Sequence, residues 1–275
     1  MLRQVTRWPK EFEVEITGKT RICAIIADPI HHVKTPQGIN RLCEAVGKDV
    51  VMVPVQVSSA ELVSVVNGFR AMQNLAGFVI TVPHKTAMAK LCDELSDDAA
   101  RMGAVNVVRR NADGKLHGAI LDGKGFVAGL REEGIELNGR SAYLVGAGGA
   151  ASAIAYALAD AGISRLTLAN RTREKAEALR ERLSDAYSTL PIDLGNRDPT
   201  GHDFVINATS LGLRESDPLP LDTECLTAEQ IVADIIMDPD ETPLLKAAKS
   251  KGCTIQYGLP MLNNQLKLMA EMMGL

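Results

Sequence analysis

The sequence predicts an α/β fold in two domains, on three observations. Short Val- and Ile-rich runs alternate with longer amphipathic stretches, the pattern of strands joined by crossover helices. A glycine-rich turn near the middle joins one apolar run to an alanine-rich stretch. A polar break punctuated by Gly134 and Asn138-Gly139 precedes that turn, and 275 residues are enough for two modest domains.

Each strand is a short apolar run bounded by turn formers, and each helix a longer stretch with apolar residues three or four apart. Strands are expected at 22–27, 50–57 and 77–81, with helices at 35–45 and 60–72 between them and a short helix at 86–91 after them. A helix at 124–133 leads through Gly134 and the Asn138-Gly139 turn into a second alternation. Its strands are 141–145, 165–169, 204–208, 231–236 and 253–256, and its helices 151–161 and 174–183. A last helix, 261–273, follows Gly258-Leu259-Pro260, and Leu262, Leu266, Met269 and Met273 make an apolar stripe suited to core packing. The domains accordingly divide as 1–122, completed by 253–275, and 123–252, with both sheets mostly parallel.

Composition removes several function classes. A net charge of -4, 4% aromatic residues and no long Lys/Arg block provide neither the electrostatic footprint nor the stacking platform of a nucleic-acid binder. The five cysteines, Cys23, Cys43, Cys92, Cys225 and Cys253, are scattered without a C-x-x-C, so reduced thiols in a cytoplasmic protein are expected rather than disulfides or zinc. The first twenty residues carry Arg3, Arg7, Lys10, Glu11, Glu13 and Lys19 and no apolar core of a signal peptide. No apolar run approaches the roughly 20 residues that span a bilayer.

Gly146-Ala147-Gly148-Gly149-Ala150-Ala151 fits G-x-G-x-x-G/A between the strand 141–145 and an alanine-rich helix. The first glycine permits the tight turn, the second lets backbone approach a pyrophosphate, and the small sixth residue lets helix and strand pack closely. The free N–H groups of the helix start bind anionic oxygens. The central part therefore reads as a Rossmann domain. Its second strand ends in Asn170-Arg171-Thr172-Arg173, where an NAD enzyme places a carboxylate on the ribose. Two guanidiniums and a hydroxyl suit a 2′-phosphate instead, so NADP(H) is the expected cofactor. The alternative has Thr172 as an N-cap and the arginines as solvated charges. Ala208-Thr209-Ser210, at the end of the third expected strand of this unit, reads either as the nicotinamide side of the cleft or as an ordinary strand-to-loop transition.

In the first domain, Thr81-Val82-Pro83-His84-Lys85 puts a lysine just past a buried strand, in a loop facing the second domain. Three further segments accompany it: Gly103-Ala104-Val105-Asn106, Asp122-Gly123-Lys124-Gly125-Phe126, and Gly258-Leu259-Pro260-Met261-Leu262-Asn263-Asn264-Gln265. In this order, with the glycine turn and Asn170-Arg171-Thr172 between them, they closely resemble the shikimate dehydrogenase family from about residue 22 onward. The resemblance implies a discontinuous substrate domain clasping a hydroaromatic acid against an NADP domain, and reversible NADPH-dependent reduction of 3-dehydroshikimate to shikimate. It implies that Lys85 is catalytic with Asp122 as its partner, and that Thr35, Thr81, Asn106 and Gln265 bind substrate. It assigns Gly146, Ala147, Gly148, Gly149, Ala150, Asn170, Arg171, Thr172, Arg173, Lys175 and Gly258 to the cofactor, and Ala208, Thr209, Ser210 and Ile235 are further cofactor candidates.

The chemistry also stands on its own. Hydride addition to a ketone develops charge on oxygen, which a lysine ammonium neutralises by donating a proton; the reverse direction needs the neutral amine, so oxidation is expected to rise with pH. Three positions depart from the family pattern. Val33 stands where the first serine of a Ser-x-Ser carboxylate grip is expected, Gly118-Ala119-Ile120-Leu121 replaces a polar run, and Met237 takes the place of a tyrosine. A charged hydrogen bond contributes roughly 1.5–3 kcal/mol, so shikimate is expected to bind about 10- to 150-fold more weakly unless the pocket repacks. Quinate, aminoshikimate or another hydroxy acid stays open as the substrate, as does a non-catalytic NADP-binding sensor. A dehydrogenase of the methylenetetrahydrofolate type also has a catalytic lysine, but Asn106 and Gln265 in their contexts argue against it. His31 and His32 lack a third ligand at metal spacing and read as polar loop residues. Monomer and homodimer are both open.

Overall fold

The computed structural model describes residues 15–31 and 33–275. Two six-stranded sheets carry the fold. In the first, β1 (Arg21–Ala27), α1 (Thr35–Ala45), β2 (Val50–Gln56), α2 (Leu62–Ala71) and β3 (Leu75–Ile80) form two crossover units with β1 parallel to both neighbours. β3 reads Leu-Ala-Gly-Phe-Val-Ile and is buried along its whole length, as a central strand covered on both faces must be.

The short α3 (Lys85–Ala89), β4 (Glu94–Leu95) and α4 (Asp97–Met102) follow, then β5 (Val107–Arg110) and β6 (Leu116–Ala119). The sheet order is β2-β1-β3-β5-β6-β4, and β5 alone runs against its neighbours, so the sheet is mostly parallel as expected. The β5–β6 hairpin was not among the expected elements. Its strands are only four residues long, although Asp113-Gly114, with Gly114 at φ +83°, is an ordinary hairpin signal.

α5 (Asp122–Glu132) leads into β7 (Ser141–Val145), α6 (Gly149–Asp160), β8 (Arg165–Ala169), α7 (Arg173–Ala186), β9 (Ile192–Leu194), β10 (Phe204–Asn207), β11 (Ile231–Asp234), α8 (Pro243–Ser250) and β12 (Thr254–Gln256). All pairings are parallel, in the order β12-β11-β10-β7-β8-β9. Numbered within this unit the order is 6-5-4-1-2-3, the doubly wound arrangement whose crevice opens at the carboxyl ends of β7 and β10.

α9 (Leu259–Met273) closes the chain by returning to the first domain, where Leu266, Met269, Ala270 and Met273 join Cys23, Ile25, Val79 and Val107 in one core. The return begins only after Gln256, because β12 pairs with β11; the expected break at 252/253 shifts by those few residues. α5 and α9 pack closely: a Cβ at Gly125 would lie 2.8 Å from Gln265 Cβ, and one at Gly129 3.0 Å from Met261 N. No helix among the described residues is long and apolar enough to cross a membrane.

Candidate active site

A cleft of about 860 Å³ runs between the two sheets, and residues from both line it. From the first domain come Val33, Thr35, Thr81, Lys85, Asn106 and Asp122, with Ile25 and Val79 as apolar floor. From the second come Gly146 to Ala150, Asn170, Ala208, Thr209, Ser210, Ile235 and Met237, and α9 adds Leu262, Gln265 and Met269.

Lys85 is the first residue of α3 rather than a loop residue. Its Nζ donates to Asp122 Oδ2 at 2.6 Å, and Gln265 Nε2 donates to Asp122 Oδ1 at 2.5 Å. Asp122 opens α5, where the positive end of the helix dipole favours a carboxylate. Its side chain is 10% exposed and that of Lys85 24%, so the pair sits in the cleft wall with the ammonium toward the opening. The neighbouring His84 is buried and its Nε2 bonds Val57 O at 2.8 Å, tying the start of α3 to the loop after β2.

Asn106 is 1% exposed; its Oδ1 accepts from Leu121 N at 2.9 Å, while Nδ2 is buried without a partner in the protein. An orphaned buried amide is costly, and here it lines the cleft, where a ligand oxygen can satisfy it.

The glycine turn suits a dinucleotide. Gly146 has φ +123°, and a Cβ there would meet Ala208 O at 2.8 Å, so only glycine holds this turn against β10. A Cβ at Gly148 or Gly149 would meet nothing within 4 Å, which leaves the cleft open to the backbone at the start of α6. Gly148 supplies no side-chain cap, so the first N–H groups of α6 are available to phosphate oxygens.

The loop after β10 is held from below. Buried Asn207 accepts from both Thr209 N and Thr209 Oγ1 and donates to Asp234 Oδ2 at 3.0 Å. Thr242 Oγ1 donates to the same carboxylate oxygen at 2.9 Å, and Ile236 N to the other at 3.0 Å. Burial raises the Asp234 carboxyl above the ordinary carboxylate range, against the lowering effect of these donors. Asp234 was not singled out from sequence; inside an apolar strand, a lone carboxylate was its only signal.

Not every expected residue reaches the cleft. Arg171 lines an adjoining pocket, while Thr172, Arg173 and Lys175 are exposed at the start of α7; Arg173 Nε faces Glu177 at 3.0 Å. Gly258 is buried against the backbone of Ile235 and Ile236, where a Cβ would lie 2.4 Å from Ile236 O, so it seats α9 behind the wall instead of lining it. Of residues 118–121, none lines the main cleft, and Ile120 alone reaches the smaller pocket beside it, which it lines with Lys85 and Gly149. Ala119, Ile120 and Leu121 belong to the two cores of the first domain, because β6 turns there into α5. Only Val33 and Met237 make the cleft itself more apolar. His32 lies outside the described residues.

Comparison with known proteins gives concordant matches. A family model for the shikimate dehydrogenase substrate binding domain matches residues 25–108, and one for shikimate / quinate 5-dehydrogenase matches 130–213. Shikimate dehydrogenase (NADP(+)) of Rubrobacter xylanophilus is 40% identical over 251 residues, which covers 90% of this chain and 88% of the relative. Shikimate 5-dehydrogenase from Listeria monocytogenes, solved with shikimate and NAD, has a TM-score of 0.88 at 33% identity over 94% of this chain and 93% of that one. A 5-ketofructose reductase from a Gluconobacter strain has a TM-score of 0.86 at 34% identity, with 92% of each chain covered.

Proposed function

The chain belongs to the shikimate dehydrogenase family, and on that premise we propose that it catalyses the reversible NADPH-dependent reduction of 3-dehydroshikimate to shikimate, with Lys85 and Asp122 at the reacting oxygen. The observation that carries the reading is the Lys85–Asp122–Gln265 chain of hydrogen bonds facing, across one cleft, the open glycine turn of a dinucleotide fold. NADPH, when bound, supplies the hydride. Lys85 gives a proton to the ketone oxygen as charge develops on it, and takes it back in the oxidative direction. Asp122 aims the ammonium, Gln265 fixes Asp122, and Asn106 Nδ2 donates to a substrate oxygen. Gly146 to Ala150 take the pyrophosphate, while Asn170 and Arg171 take the adenosine end.

Thr35 and Thr81 supply hydroxyls to the substrate, with Val33 and Met237 as apolar neighbours. These two residues, with the likeness to a 5-ketofructose reductase, favour a second reading in which the preferred substrate is a different hydroxylated ring ketone. The cytoplasm suits either reading, since its reducing conditions keep the free cysteines as thiols.

The test follows NADPH absorbance with 3-dehydroshikimate, and NADP+ reduction with shikimate and quinate. Turnover of 3-dehydroshikimate that falls by about 10²- to 10⁴-fold in Lys85→Ala is the expected result. Tight NADPH binding without turnover of any of these substrates would sink the first reading, and near wild-type activity of Lys85→Ala would remove the lysine from the chemistry.

A further inference from the structure

A second cavity, of about 460 Å³, adjoins the main cleft and shares Asn170, Thr209 and Ser210 with it. It opens at the carboxyl ends of β7 and β8, and Arg171 at its edge follows the second strand of the unit, where this fold reads the ribose. This is the place for the adenosine half of a dinucleotide. Its far wall is made by Pro218 and Pro220 on one side and Gly195, Asn196 and Arg197 on the other.

Neither segment is a strand or helix, so something other than a ladder must hold them together. Leu219 and Leu221 alternate with the prolines and pack into the core below, leaving the prolines at the cavity. Arg197 provides the tie. Its Nη2 donates to Leu219 O at 3.0 Å and to Leu221 O at 3.2 Å, and its own backbone oxygen accepts from Asp222 N at 2.8 Å. The segment is anchored underneath by the buried Tyr143, whose hydroxyl donates to Asn196 O at 2.6 Å. The guanidinium, with that one backbone hydrogen bond beside it, thus fastens two loops into a single wall.

We propose that Arg197 is a positioning residue for the cofactor: it braces the adenosine pocket through the Leu219 and Leu221 carbonyls and so sets dinucleotide affinity without taking part in the chemistry or reading the 2′-phosphate. The proposal rests on the dinucleotide reading of the cleft. A brace acts on what both cofactors share, so Arg197→Ala weakens NADPH and NADH alike, whereas Arg171, facing the ribose, discriminates between them.

The experiment titrates NADPH and NADH by fluorescence into wild type, Arg197→Ala, Arg197→Lys and Arg171→Ala, with steady-state kinetics alongside and a thermal melt to verify folding. Expected for Arg197→Ala, which removes both charged hydrogen bonds to the Leu219 and Leu221 carbonyls, is a rise of about tenfold in Kd and KM for both cofactors, with kcat at saturation and substrate KM within about twofold of wild type. Arg197→Lys, which keeps a donor for one carbonyl, recovers part of the loss. Unchanged cofactor binding in a folded Arg197→Ala, a loss confined to NADPH, or a loss in kcat alone would each overturn the proposal. Binding is read without the acid substrate, so an error in the substrate assignment leaves this result intact; a wild-type chain that binds neither cofactor would overturn the dinucleotide reading instead.

Discussion

At the scale of single residues, the cleft separates groups that their neighbours in sequence announce from groups that only the fold assembles. Lys85 and Asp122 stand in distinctive segments, and their 2.6 Å contact joins the starts of two helices that are 37 positions apart. The orphaned Nδ2 of Asn106 has no sequence signature, because whether a buried amide is satisfied depends on what surrounds it. The same holds for Arg197, one arginine among exposed loop residues until the Leu219 and Leu221 carbonyls are seen around it. Val33 is the residue with the plainest consequence for specificity. It lines the cleft near Thr35 and offers an apolar surface to whatever the substrate places there. Val33→Ser adds a hydroxyl donor, so the KM for shikimate is expected to fall by about tenfold in steady-state assays; an unchanged KM would count against a carboxylate at this position.

At the scale of elements, the contact between α5 and α9 links the substrate domain's last helix to Asp122. Gly125 and Gly129 allow the approach, and the approach brings Gln265 to Asp122. Gly125→Ala puts a methyl 2.8 Å from Gln265 Cβ and 3.0 Å from Met261 O, so α9 must shift. Overpacking of this kind costs about 1–3 kcal/mol, which in a chain of this size lowers Tm by roughly 2–10 °C, and kcat should fall with it as Gln265 leaves Asp122. Gly68→Ala is the matched control. It lies in α2 with nothing within 4 Å of the new methyl, so Tm should rise by about 1–3 °C with activity intact. Most long elements were legible because a buried strand or an amphipathic helix leaves a periodic trace. The β5–β6 hairpin and the two-residue β4 were not, since Val107–Arg110, Leu116–Ala119 and Glu94–Leu95 mix polar with apolar residues and make no apolar run, unlike the equally short β10 and β11.

At the scale of the whole molecule, a polar seam joins α4 of the first domain to α5 and α6 of the second. Asp98 of α4 bonds Arg101 on its own helix and Lys124 Nζ of α5 at 2.8 Å. Arg101 continues to Asp160 at 3.5 Å and lies over the rings of Tyr156 and Tyr187, at 5.6 and 5.8 Å. Burial opposes ionisation of Asp98, but the hydrogen bonds from Lys124 and Arg101 outweigh it and hold the carboxyl below the ordinary carboxylate value. A depressed carboxylate stabilises the fold fully above its unfolded value near 3.8 and loses that contribution as pH falls through the lower, folded value. Asp98→Asn should therefore lower Tm by about 1–3 °C at pH 7, with screening limiting the effect to about 1 kcal/mol, and the gap from wild type should begin to narrow below about pH 4 and close as pH falls through the lower, folded value. A gap that stays constant with pH would show that packing, not charge, holds the seam. By itself the sequence determined the α/β class, the two-domain division and the glycine turn, because periodicity and short motifs are local properties of the chain, and its family resemblance named Lys85 and Asp122 as candidates. Only the tertiary structure decided that β12 belongs to the second sheet, that Ala119 and Leu121 serve the core instead of the cleft, and that Thr172, Arg173 and Lys175 lie outside the cleft. It alone shows Arg197 tying two loops together. Those outcomes depend on which distant segments share a surface, and burial and hydrogen bonding between such segments leave no local trace in the order of residues.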